Sequence, residues 1–259
     1  MDHLEFLASL HERLERPAYL EIGVGQGDSL ALAGGRAVGI DPAYELRVEL
    51  GDGVELCRET SDEYFARRQP RAPLGGRRVA LAFIDGMHLA EFAVRDFANV
   101  ERHAEWTSVV VFAGVSPSTV EDAARDRRTR VSSGDVYKVL DVLAQHRPDL
   151  TCLRVDTRPV GLGVVLGLDP ESTVLSDRYD AIVRSVVTPD PQDVPADVLG
   201  RAGALDPEAV LASSAWPLLR RGREAGAHRG LGLRRLHRRL RRDLGVSSPR
   251  RRDARAVHA

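Results

Sequence analysis

The sequence predicts a doubly wound α/β fold, a mostly parallel sheet with helices on both faces and an antiparallel edge. Three observations predict it. Short apolar strands alternate with helical segments. Two of the strands, Val79–Asp85 and Ser108–Phe112, are nearly continuous apolar runs, as expected where a parallel sheet is covered on both faces. A glycine-rich turn follows the first strand, at the edge of a sheet where such folds bind ligands.

The elements follow in order. Leu4, Leu7, Leu10 and Leu14 have a three-to-four spacing that predicts an amphipathic helix, stopped by Pro17. Ala18–Gly23 and Arg36–Asp41 are strands, Val54–Arg58 is a third, and a helix begins near Ser61 and Asp62. Between the two apolar runs lies a helix whose Leu89, Phe92, Ala93, Phe97 and Val100 share one face. Helices are predicted over Thr119–Arg127 and Asp135–His146. The pair Thr151–Val155 and Gly161–Leu168, turned by Pro159 and Gly161, is read as antiparallel, and a helix spans Ser172–Val187.

Composition bounds the function classes. The 259 residues, 43% hydrophobic and 29% charged, suffice for one sizeable core. Cys57 and Cys152 are too few for a disulfide framework and too far apart for a zinc site, which fits a cytoplasmic protein. The first residues do not read as a signal peptide, and no apolar run reaches the ~18 residues that span a bilayer.

The net charge of −1 conceals an asymmetry. Residues 216–259 hold 14 Arg against Glu224, Asp243 and Asp253, an excess of about +11 that leaves about −12 on residues 1–215. The acidic part would repel nucleic acid, and no specific nucleic-acid partner is expected. Leu231, Leu233, Leu236, Leu240 and Leu244 form one stripe of a basic helix, suited either to an anionic surface or to the chain's own acidic domain. Pro189, Pro191 and Pro195 mark a boundary, so the expected division is a domain over 1–187, a linker over 188–215 and an Arg-rich amphipathic tail over 216–259.

The chemistry concentrates after the strands. In Glu21-Ile22-Gly23-Val24-Gly25-Gln26-Gly27-Asp28 the glycines let the backbone turn tightly and approach a ligand. A dinucleotide fingerprint would place a glycine where Asp28 stands; this carboxylate would repel a pyrophosphate but tolerate a cationic ligand. Asp41, at the end of the second strand, can accept hydrogen bonds from a ribose. The bland reading of Ser61 and Asp62 is a helix N-cap. Asp85 and His88, after the fourth strand, face the open end of the sheet, where a histidine is a natural general base and Asp85 can alternatively be a structural cap. The run from Arg125 to Lys138 is read first as a solvated face and second as donors for an acidic or polyhydroxylated acceptor.

Glu21–Gly27, Gly39-Ile40-Asp41, Thr60–Phe65 and Phe83-Ile84-Asp85-Gly86-Met87-His88 together resemble the class I S-adenosylmethionine-dependent methyltransferases, most nearly a bacterial small-molecule group whose fourth strand ends in Ile-Asp-Gly-x-His. The resemblance spans Tyr19–Val187. It implies a Rossmann-like sheet of seven strands and S-adenosylmethionine as cofactor, with Glu21, Gly23, Gly25 and Gly27 at its methionine end, Asp41 on the ribose, and Ser61 and Asp62 near the adenine. Asp85 and His88 would lie at the methyl group, beside a small metabolite or sugar acceptor methylated on oxygen. Related magnesium-dependent enzymes carry an acidic pair after the fifth strand. Here Phe112-Ala113-Gly114-Val115-Ser116-Pro117 has no acid, so no metal is assigned. The competing classes are an NAD-dependent oxidoreductase, opposed by Asp28, and a catalytically degenerate binding protein on the same scaffold. A homo-oligomer is compatible with each.

Overall fold

The computed structural model describes residues 1–246. Its elements are α1 (His3–Arg13), β1 (Tyr19–Ile22), β2 (Ala37–Ile40), β3 (Val54–Cys57), α2 (Ser61–Phe65), β4 (Leu81–Ile84), α3 (Ala90–Arg102), β5 (Val109–Ala113), α4 (Val139–His146), β6 (Thr151–Val155) and β7 (Leu162–Leu166). After β7 come α5 (Val174–Asp177), α6 (Tyr179–Val186), α7 (Ala196–Leu199), α8 (Pro207–Leu211), α9 (Ala215–Glu224) and α10 (Arg229–Leu244). Short 3₁₀ turns occupy Leu30–Leu32 and Gly134–Lys138.

The strands form one Rossmann-like seven-stranded sheet in the order β3-β2-β1-β4-β5-β7-β6. All pairs from β3 to β5 are parallel, and β7 runs antiparallel to both β5 and β6. The reversed strand is thus one place in from the edge, not outermost. Burial explains the order. Leu162-Gly163-Val164-Val165-Leu166 is buried throughout, whereas Thr151–Val155 alternates between buried and half-exposed, the pattern of an edge.

Strand residues alternate between two cores. Ala82, Ile84, Val110 and Phe112 pack against α3, α4 and α6 through Phe97, Leu143 and Ile182. Leu81, Phe83, Val109 and Val111 face α1 through Phe6, Leu7 and Leu10, together with Trp216, Leu219, Leu236 and Leu240 from α9 and α10. The β1–β2 crossover contains only a 3₁₀ turn, so this second face draws its cover from both ends of the chain.

One expectation is corrected here. Residues 119–127 form turns, not a helix. The amides of Arg125 and Asp126, which would continue a helix, donate to the carboxylate of Asp190, while the Asp122 carbonyl is taken by the amides of Ser133 and Gly134. Tertiary partners therefore outbid the local ladder.

The expected linker 188–215 holds α7 and α8, and its Val198, Val210 and Leu211 are buried. The tail docks on its own domain. Leu236 and Leu240 are buried, Leu231 is exposed, and the Trp106 ring lies so close to Gly222 and Gly232 that a Cβ at Gly232 would overlap it. The remainder of the basic tail, residues 247–259, lies outside the described residues.

Candidate functional site

The carboxyl ends of β1, β2 and β4 open on a cavity of about 840 Å³. Its floor is made by the loops that follow these strands, its rim by Thr60–Asp62 after β3, and its far wall by Arg125, Arg127, Ser132 and Gly134 after β5. His3 and Leu4, at the start of α1, complete the lining.

The glycine loop is built around Asp41. One carboxylate oxygen accepts from the amides of Val24 and Gly25, both at 2.9 Å, and the other from Ala43 at 2.7 Å. Gly23 has φ +87°, and a Cβ there would overlap the carbonyl of Asp85, so the β1 and β4 loops touch through backbone alone. Gly25, at φ +54°, lines the cavity and has nothing within 4 Å of where a Cβ would stand. Gly27 plays a different part, since a Cβ on it would meet Leu46 and Val48 on the loop after β2.

Glu21 also stands apart from the cavity lining. It is fully buried beneath the loop, accepting from Tyr19 Oη at 2.6 Å and Ser29 Oγ at 2.7 Å. Burial pushes its carboxyl up to about 8, with the charges of Asp85 and Asp41 acting in the same direction against the two hydrogen bonds.

On the β3 side, Thr60 is the N-cap of α2, in a capping box with Glu63. Ser61 and Asp62 are thereby spared that role: Ser61 Oγ donates to Asp96 Oδ1 at 2.5 Å, and Asp62 pairs with Arg95 at 2.7 Å. Asp96 is 5% exposed and lines the cavity. Burial raises its carboxyl to about 6, the Ser61 bond opposing.

After β4, His88 and Asp85 are brought together. Nε2 of His88 lies 2.7 Å from Asp85 Oδ1 and Nδ1 lies 2.7 Å from the Ser132 carbonyl. Burial works to lower the imidazole pKa, but the hydrogen bond and charge of Asp85 and the Ser132 carbonyl outweigh it and hold the pKa above its ordinary 6.5. The pair is locked by the backbone: His88 has φ +55°, and a Cβ on Gly134 would overlap its carbonyl. Among the described residues no group of three His, Cys, Asp or Glu side chains is arranged to hold a metal.

Asp28, Asp41, Asp62 and Asp96 line the half nearer β1–β3, with Arg95 among them paired to Asp62, and Arg125 and Arg127 come from the segment after β5. Arg125 is committed to Glu91 and Asp135. Lys138 is likewise held, by Asp135, Gln192 and the Val186 carbonyl, so much of the donor run serves packing.

Expected site residues Gly23, Gly25, Asp41, Ser61, Asp62, Asp85 and His88 all line this one cavity, whereas Glu21 and Gly27 support it from behind. Sequence reasoning missed Asp96, Arg95 and His3. Asp96 had a signal, since it falls between Ala93 and Val100 on the buried face of α3. His3 had none, because its place depends on a contact 155 residues away.

No known family model and no curated protein matches this sequence. Among solved structures, the chain is similar to the O-methyltransferase from Bacillus cereus in complex with SAH, at 16% identity and a TM-score of 0.47, covering 63% of this chain and 80% of that one. It is also similar to the O-methyltransferase TomG from Streptomyces achromogenes, involved in tomaymycin synthesis and in complex with SAM, at 19% identity, a TM-score of 0.44, and coverage of 63% and 79%.

Proposed function

We propose that this protein is an S-adenosylmethionine-dependent methyltransferase that methylates an oxygen of a small metabolite or sugar. The observation that carries the reading is the Asp41 grip on Val24 and Gly25, which turns a loop without side-chain cover toward a half-cavity where Asp28, Asp41, Asp62 and Asp96 outnumber the cation Arg95, itself paired to Asp62. Such a half-cavity suits a ligand with ammonium and sulfonium groups and disfavours a pyrophosphate.

Gly23 and Gly25 would pass the methionine end, Asp41 would receive the ribose on its remaining lone pair, and Ser61, Asp62 and Asp96 would meet the adenine. Asp85 would stand at the reacting end with His88. S-adenosylmethionine supplies an activated methyl group when bound. The residues of the chain have then to orient the acceptor, exclude water and receive a proton.

The second reading is a binding protein on the same scaffold. It is favoured by the occupation of both nitrogens of His88. The oxidoreductase reading has no comparable support, because Asp28 lines the cavity beside the glycines.

Titration calorimetry of the full chain with S-adenosylmethionine, S-adenosylhomocysteine and NAD tests the cofactor. The first two are expected to bind and NAD is not. Asp41→Ala should abolish binding, and NAD binding in preference to S-adenosylhomocysteine would overturn the reading. Transfer of a labelled methyl group to phenol and sugar probes separates enzyme from binding protein.

Among the described residues no helix is long and apolar enough to cross a membrane; the two free cysteines, Cys57 and Cys152, are what support a cytoplasmic location in this reading. The exposed Arg234, Arg235 and Arg238 of α10 would face an anionic surface. Assembly into a homo-oligomer is compatible with the same fold.

A further inference from the structure

We infer that His3, not His88, is the general base for the acceptor hydroxyl; the inference rests on the methyltransferase reading above. Both ring nitrogens of His88 face groups that only accept hydrogen bonds, the Asp85 carboxylate and the Ser132 carbonyl. Each nitrogen must carry hydrogen to satisfy them, so His88 is an imidazolium with no lone pair to offer.

His3 lines the same cavity in the complementary state. Its Nδ1 lies 3.3 Å from the Arg158 carbonyl and 3.4 Å from Asp2 Oδ2, again two acceptors, so the hydrogen resides on Nδ1. Nε2 is left with the lone pair, and a third of the side chain is accessible. This is the arrangement of an oriented base: an acceptor fixes the tautomer, and the opposite nitrogen is free to take a proton.

The fold also places His3 on the acceptor side. Asp2 caps α1 through the Leu4 amide at 2.8 Å, and the His3 amide donates to the Arg158 carbonyl at 3.1 Å. Arg158 follows β6, which is parallel to β5 and lies at the opposite end of the sheet from β2 and β3. His3 therefore enters the cavity across from Asp41 and Ser61. In the transfer step the acceptor O–H gives its proton to His3 Nε2 and the oxygen pair forms the bond to the methyl carbon. The carbon–sulfur bond breaks with its electrons on sulfur, and the imidazolium of His3 later releases the proton to water.

The test uses the full chain with ¹⁵N-labelled histidine and saturating S-adenosylhomocysteine. Long-range proton–nitrogen correlation near neutral pH should show His3 with hydrogen on Nδ1 alone and His88 with hydrogen on both nitrogens, His3→Asn serving to assign the signals. Asn keeps a donor for the Arg158 carbonyl and lacks Nε2. With labelled S-adenosylmethionine and catechol, caffeate and 4-hydroxybenzoate as probes, His3→Asn should lower kcat about 100-fold while S-adenosylhomocysteine binds within about twofold of wild type.

A hydrogen on His3 Nε2, or full turnover in His3→Asn, overturns the base while leaving the cofactor reading intact. Failure of S-adenosylhomocysteine to bind the wild type overturns that reading first. If none of the probes is methylated, the protonation state of Nε2 decides.

Discussion

Asp85 favours the protonated form of His88: its Oδ1 lies 2.7 Å from Nε2, and the opposite nitrogen is pinned to the Ser132 carbonyl. The ion pair fixes the β4 loop against the segment after β5. It gives Asp85 and His88 a shared part in shaping the cavity, where the sequence offered His88 as a free base.

Replacing Asp85 with Asn should lower the titration midpoint of His88. The pKa of His88 is raised in the folded state, so its contribution to stability is complete below 6.5 and is lost as pH rises through the folded value. In Asp85→Asn this pH dependence should flatten. Imidazole titration by NMR and urea unfolding on either side of the transition measure both effects; an unchanged midpoint would show that Asp85 does not hold the charge.

Two glycines of one loop should separate stability from binding. Gly23→Ala must push apart the β1 and β4 loops, because its Cβ would overlap the Asp85 carbonyl, and unfolding in urea should register a loss of several kcal/mol. Gly25→Ala meets no neighbour and bears only the left-handed backbone penalty of about 1–2 kcal/mol, while its methyl group stands in the cavity. Calorimetry should find S-adenosylhomocysteine binding weakened more than stability. Undiminished binding by Gly25→Val would remove this loop from the cofactor site.

Glu21 should make stability fall with pH. Its carboxyl is raised to about 8 by burial, so between the ordinary value of 4.5 and 8 the folded chain holds a proton that the unfolded chain has released. The favourable contribution is whole below 4.5 and lost as pH rises through 8, with a slope up to about 1.4 kcal/mol per pH unit. Glu21→Gln should remove that slope and be relatively more stable at pH 8. A wild type whose stability is level over this range would show that Glu21 is ionised.

The C-terminal helices should be indispensable. Leu236→Ala empties a fully buried position against the sheet and should cost about 2–5 kcal/mol. A chain ending at Val187 would expose Trp106 and the sheet face now covered by α9 and α10, and circular dichroism should find no cooperative unfolding. If that shorter chain melts cooperatively and binds S-adenosylhomocysteine, residues 1–187 are a domain in their own right.

The local record of the chain was sufficient for much of this architecture. Apolar runs, the glycine turn and acids at strand ends predicted the sheet, its mostly parallel sense and Gly23, Gly25, Asp41, Asp85 and His88 of the cavity lining, because these features follow from periodicity and from the rule that ligands bind at the carboxyl edge, whereas Ser61 and Asp62 were expected there only through the family resemblance. What depended on contacts distant in sequence was decided by tertiary structure alone. The stripe from Leu231 to Leu244 defined a helix but not its partner, which is the sheet face left open by a short β1–β2 crossover. Thr119–Arg127 had helical composition, yet Asp190 captured the amides a helix requires. Residue type marked His88 as a base, but protonation depends on what both nitrogens touch, and Asp85 and Ser132 approach them only when β4 and the segment after β5 are assembled.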